Sequence, residues 1–80
     1  MNTYDAVKMR ILTLCGEKNI TINKLSTESG IAPSTIKNIL YGKSKNPGIV
    51  TLKMLCDGLG TTLTEFFDTP DFHNLEQEIK

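Results

Sequence analysis

Eighty residues make room for one folded unit of ordinary size and not for two. A chain that is 39% hydrophobic and 22% charged is globular in composition, and no apolar run approaches the roughly 20 residues of a membrane-spanning helix. The formal net charge of zero excludes a uniformly basic or acidic protein but hides a segregation: residues 29–56 hold Lys37, Lys43, Lys45 and Lys53 and no acid, whereas residues 57–80 hold Asp57, Glu65, Asp68, Asp71, Glu76 and Glu78 against Lys80.

Apolar residues recur with the helical period, and no alternation reads as strand. A first helix opens with Thr3 as N-cap and Asp5 in its first turn. It carries Val7, Ile11 and Leu14 on one face, weakens at Gly16 and closes at "KN" before Ile20. Thr21 caps a second helix, Ile22 to Ser29, with Ile20 and Leu25 placed to form a hydrophobic staple. Gly30 ends it, where a left-handed backbone is wanted and any other residue costs on the order of 1–2 kcal/mol.

Pro33 suits the first position of a third helix, because its missing N–H would be unpaired there anyway. Ala32 is then the cap by geometry, since a residue before proline is pushed toward extended angles. It offers no side-chain oxygen, which leaves the amides of Ser34 and Thr35 for a phosphate or a water. Ile31 and Ile36 form a second staple. Ile36, Ile39 and Leu40 point inward and Ser34, Thr35, Lys37, Asn38 and Tyr41 toward solvent, with Gly42 as the stop. "KSKNPG" reads as a loop. A fourth helix, Ile49 to Leu59, presents Leu52, Leu55, Cys56 and Leu59 to the core, and Gly60 ends it. "TLTE" reads as a capping box, Thr62 with Glu65, for a short fifth helix ending in Phe66 and Phe67. Phe72, Leu75 and Ile79 are helically spaced in the acidic tail, residues 68–80, which reads as a short sixth helix, a dimer contact or a disordered segment, with a helix used in association preferred.

Cys15 and Cys56 fall in apolar helical patterns without a Cys or His at metal-ligand spacing, and read as buried, reduced thiols. His73 lies in the acidic tail and reads as a solvated side chain. No nucleophile sits beside a base, no carboxylates pair and no glycine loop cradles phosphate, so neither enzyme chemistry nor a metal or cofactor is expected. "MNTYDAVKMR" lacks the apolar stretch of a signal peptide, and the expected compartment is the cytoplasm.

A short helix, a tight glycine turn and a second helix describe a helix-turn-helix, with Gly30 bending the chain and Ile31 plugging the crevice. Residues 7–67 resemble the DNA-binding domain of the Cro and phage-repressor (XRE-like) family. The matching stretches are "ITINKLSTESGIAPSTIKNILYGK" and "NPGIVTLKMLCDGLGTTLTEFF". The resemblance implies an all-α, five-helix bundle of the lambda-repressor-like type over residues 1–67. It also implies a homodimer reading a palindromic operator in double-stranded DNA, and transcriptional control, with repression the expected sense.

Carried over by position, the third helix, 33–41, enters the major groove. Ser34 and Thr35 reach base edges or nearby phosphates, while Lys37 and Asn38 read bases. Tyr41 contacts phosphate or covers Leu40. Lys43, Ser44 and Lys45 suit backbone phosphates, as do Thr21 and Asn23 from the second helix. Ile22 stands where the family often has glutamine. Phe66, Phe67 and Phe72 are the expected apolar dimer contacts. The competing reading is a protein-binding helix-turn-helix, such as an antitoxin or a partner that sequesters a regulator. The acidic tail would then suit a basic protein partner.

Overall fold

A computed structural model describes residues 1–79. Among them are six helices and no strand: α1 Thr3–Lys18, α2 Ile22–Ser29, α3 Pro33–Leu40, α4 Ile49–Leu59, α5 Leu63–Phe67 and α6 Pro70–His73. No helix among the described residues is long and apolar enough to cross a membrane.

The local chemistry places most of these boundaries. Thr21 accepts from the Lys24 N–H, and Gly30 closes α2 at φ 73° in the left-handed region. Thr62 and Glu65 form the expected reciprocal capping box on α5. At the start of α1 the cap shifts by one residue. Asn2, not Thr3, has the extended backbone of an N-cap, and its Oδ1 accepts from the Asp5 N–H at 2.8 Å. Asparagine caps at least as well as threonine, and the earlier start lets Thr3 join the helix. The other end of α1 stops at Asn19, which is left-handed at φ 53° and donates to the carbonyls of Cys15 and Gly16.

Val7, Ile11 and Leu14 of α1 meet Leu25, Ile36, Ile39 and the α4 row Leu52, Leu55, Cys56 and Leu59 in one core, with Ile31 and Leu40 at its margin. Of all the helices, α2 and α4 pack together most closely. Gly58 permits this approach: a β-carbon at that position would lie 2.9 Å from Ser29 Cβ and 3.0 Å from Ser29 N. Arg10 secures α5 from α1, its Nε donating to the Phe66 carbonyl at 2.8 Å and its Nη2 to that of Glu65 at 3.0 Å. Both carbonyls lie at the C-terminus of α5, where helical amide partners run out; that of Glu65 also accepts from the Asp68 N–H at 3.3 Å.

The tail departs from expectation. The helix α6 is only four residues long, so Leu75 and Ile79 lie beyond it and the 72–75–79 spacing is not realised as one helix. Asn74 ends α6, its side-chain amide donating to the Pro70 carbonyl at 2.8 Å. The chain then runs beside the start of α1, where the Glu76 N–H donates to the Met1 carbonyl at 3.3 Å and the Glu78 carboxylate accepts from the Thr3 N–H at 3.2 Å. Lys80 lies outside the described residues.

Phe72 folds inward onto Phe67, with ring centroids 4.9 Å apart and nearly perpendicular planes, and lies 6.0 Å from Phe66. Phe66 has no exposed surface. The dimer contact expected of it is therefore corrected: it is a core residue of the monomer. Aromatic rings this close gain more from edge-to-face packing within a small bundle than from waiting for a partner.

Candidate nucleic-acid interface

The geometry of α3 is set first by the turn before it. Both main-chain polar groups of Ile31 are taken by serines of α2. The Ser26 hydroxyl donates to its carbonyl at 2.5 Å, and its N–H donates to Ser29 Oγ at 3.3 Å. With Ile31 buried, these bonds satisfy groups that would otherwise be stranded away from water. They also pin the turn to the helix it leaves, so α3 departs in one direction.

Ile36, Ile39 and Leu40 then bury the inner face of α3. Ser34, Thr35, Lys37, Asn38 and Tyr41 are all exposed, Tyr41 at 71%. Positions 34, 37, 38 and 41 are spaced i, i+3, i+4 and i+7, so they form a single stripe along the helix. Its donors and acceptors are of the kind that read base edges.

The N-terminus of α3 needs a correction. The Thr35 N–H donates to the Ala32 carbonyl at 3.0 Å and shares that acceptor with Ile36. A tightened first turn has thus taken up one of the two amides expected to be open. The Ser34 N–H makes no hydrogen bond among the described residues, as expected where the cap has no side-chain oxygen.

After α3 the chain turns at Gly42, and the N–H groups of Lys43 and Ser44 both donate to the Asn38 carbonyl at 2.9 Å. This fold-back holds the loop against the end of the stripe. Lys43 and Lys45 are exposed and Ser44 is half-buried. Thr21 and Asn23 are exposed at the start of α2, one helix earlier than the rest of the set. The Thr21 oxygen already accepts from Lys24, which leaves its hydroxyl proton to donate. Ile22 is half-buried against the core.

Charge pairing sorts the lysines. Lys53 pairs with Asp57 one turn along α4, and Lys24 pairs with Glu28 at 2.8 Å. The Glu28 carboxyl is held below its usual range, and the Lys24 ammonium above its own, by their mutual hydrogen bond and charge. The ion pairs among the described residues leave out Lys37, Lys43 and Lys45. The four-lysine block is thus three free cations, all on α3 or the loop after it.

A cleft of about 910 Å³ lies behind this loop, between Lys45, Asn46 and Pro47, the first turn of α1, and Glu76 and Glu78 of the tail. No group of three or more metal-ligating side chains occurs among the described residues. Both cysteines are free, and burial pushes both thiols above their ordinary pKa.

Several residues that build the site were not identified as such from the sequence. Ser26 and Ser29 are silent in the sequence, because a serine inside a helical pattern carries no signal of its tertiary partner. Gly58 offered one in principle, an isolated glycine inside a helix, which often marks a close approach.

Comparison with known proteins follows the same outline. The family described as the Cro/C1-type HTH DNA-binding domain matches residues 10–71. The HTH-type transcriptional regulator SlrR of Bacillus subtilis (strain 168) is 39% identical over 51 residues, a match covering 64% of this chain. The chain spans about a third (34%) of that relative's length. The crystal structure of prophage Lp1 protein 11 superposes with a TM-score of 0.79 at 33% identity, covering 94% of this chain and all of that one (100%). The wild-type restriction-modification controller protein C.Esp1396I superposes with a TM-score of 0.74 at 25% identity, over 80% of this chain and 82% of its own.

Proposed function

The chain belongs to the Cro/C1-type HTH DNA-binding domain family, and from that premise we propose that it is a sequence-specific transcriptional regulator that binds a palindromic operator as a homodimer, most simply as a repressor. The observation that carries this reading is the exposed stripe Ser34, Lys37, Asn38 and Tyr41 on a helix whose other face, Ile36, Ile39 and Leu40, is buried, followed by two free lysines in a folded-back loop. Lys37 and Asn38 read base edges in the major groove. Asparagine can pair bidentately with adenine, and lysine can donate to guanine. Lys43, Ser44 and Lys45 hold phosphates beyond the helix, Ser34 and Thr35 those at its start, and Thr21 and Asn23 those beside α2. One eight-residue helix touches too few bases for control. Two copies about 34 Å apart on one face of the duplex double the contacts and impose a two-fold symmetric site.

Selection of bound duplexes from a random pool, followed by mobility shifts across salt, tests the reading. Lys43 and Lys45 of each subunit give about four lysine–phosphate contacts per dimer, so log affinity should fall against log salt with a slope of about −4. A palindrome should emerge with half-sites about one helical turn apart. Failure to enrich any sequence, together with no shift at low salt, would remove the proposal.

A further inference from the structure

Tyr4 lies in the first turn of α1, remote in sequence from the reading stripe, yet its hydroxyl donates to the Ile39 carbonyl at 2.5 Å. That carbonyl is among the last four of α3, which have no helical amide to accept from. Its neighbours are satisfied locally: Lys37 O accepts from the Tyr41 N–H, and Asn38 O from Lys43 and Ser44. Ile39 instead depends on α1. A β-carbon on Gly42 would lie 3.9 Å from the Tyr4 oxygen, so the hydroxyl sits where α3 ends and the lysine loop begins. The ring is half-buried, with Lys8 Nζ 5.8 Å from its centroid. Among the described residues, no side chain from another helix hydrogen-bonds to α3 except this one.

We propose that Tyr4 is a positioning residue for DNA reading, its hydroxyl fixing the far end of α3 and hence the aim of Lys37 and Asn38. The role rests on the DNA-binding reading above. The serines of α2 secure only the near end of α3, at the turn. From Pro33 to Ile39 the helix runs about 9 Å, so a 1 Å drift at the far end tilts it by about 6°. Side chains beside Ile39 move nearly as far as Ile39 itself. Bidentate base contacts need placement within about 0.5 Å, whereas a flexible lysine follows a phosphate through such a shift. Losing the hydroxyl should therefore reduce discrimination between sequences and leave general affinity for DNA in place.

Tyr4→Phe keeps the ring and removes only the donor. Binding of wild type and variant to the selected operator and to a scrambled duplex of equal length, over a salt series, reads the effect on discrimination. Amide hydrogen exchange of the free proteins reads the anchoring without DNA. The expected result is an operator-to-scrambled affinity ratio reduced about fivefold to tenfold, with the scrambled affinity and salt slope unchanged. Exchange should quicken at Ile39–Gly42 and stay unchanged in α4. Equal losses on both duplexes, an unchanged ratio, or unaltered exchange at the end of α3 would each overturn the role of Tyr4 while leaving the DNA-binding reading intact. A wild-type protein that shifts no duplex would defeat that reading, and this role with it.

Discussion

Replacing Gly58 and Gly16 separately by alanine should move stability in opposite directions. Both glycines lie inside helices, α4 and α1, where backbone propensity alone favours alanine by about 0.5–1 kcal/mol. Their surroundings separate them. Nothing lies within 4 Å of a β-carbon at Gly16, so that variant keeps the whole gain, about 2–8 °C in Tm for a domain of this size. At Gly58 the new methyl would meet Ser29 Cβ at 2.9 Å, N at 3.0 Å and Cα at 3.1 Å, where ordinary contact begins near 3.4 Å. Those atoms belong to the backbone of α2 or lie one bond from it, so the strain is relieved only if α2 and α4 move apart. Overpacking of this kind costs about 1–3 kcal/mol. After the propensity gain is subtracted, about 0–2.5 kcal/mol of destabilisation remains, with a midpoint of about 1 kcal/mol, or about 4–8 °C in Tm. Parallel calorimetric melts of the two variants and wild type give the comparison directly. A Gly58→Ala protein that melts at or above wild type would show that α2 and α4 do not approach as closely as described, and the platform beneath the helix-turn-helix would need rebuilding.

The interface divides into two further tests. Asn38→Ala should cost about 1–3 kcal/mol at one operator base pair and little on scrambled DNA, by competition binding. Lys45→Ala should weaken every duplex alike and reduce the salt slope by about one unit per site, and equal effects of both variants on scrambled DNA would defeat this division of labour. Ser26→Ala strands the Ile31 carbonyl, so the urea midpoint should fall by the equivalent of about 1–2 kcal/mol at unchanged m; an unmoved midpoint would mean that the turn is held by something else. Burial raises the Cys56 thiol pKa, so the folded chain keeps a neutral thiol where the unfolded chain would ionise. That contribution is complete below the ordinary thiol value of 9.0 and is lost as pH rises above it. Urea midpoints should fall between about pH 8 and pH 10, and iodoacetamide should reach Cys56 no faster than the protein unfolds. Immediate labelling in native buffer would contradict its burial.

The legible parts of this protein share one property: their causes lie within a few residues of chain. The cap Thr21, the left-handed stop at Gly30, the proline opening α3 and the capping box at Thr62 are all short-range chemistry, and the helices they delimit appear where their signals stand. The inward rows of α1, α3 and α4 follow from helical period alone. Misreadings came where two local options were close in energy or where the partner was distant. Asn2 and Thr3 are both good caps, and Thr35 could find the Ala32 carbonyl by tightening one turn. The tail misled for a different reason. Phe72 is helically spaced with Leu75 and Ile79, but the Phe66 and Phe67 rings offered it a better contact than an isolated helix could.

What the chain alone determined, then, was the order of its helices, the bend between α2 and α3, and which side chains of α3 face water, because period and capping act over one or two turns. Which lysines remain unpaired, why Ile31 tolerates burial, and how α3 is held at its far end were decided only in three dimensions. Those answers depend on Asp57 beside Lys53, on Ser26 and Ser29 beneath Ile31, and on Tyr4 reaching Ile39 across 35 positions of sequence. A hydrogen bond or a close helix crossing acts over a few ångströms of space, and periodicity along the chain carries no record of which distant residue will come within that range.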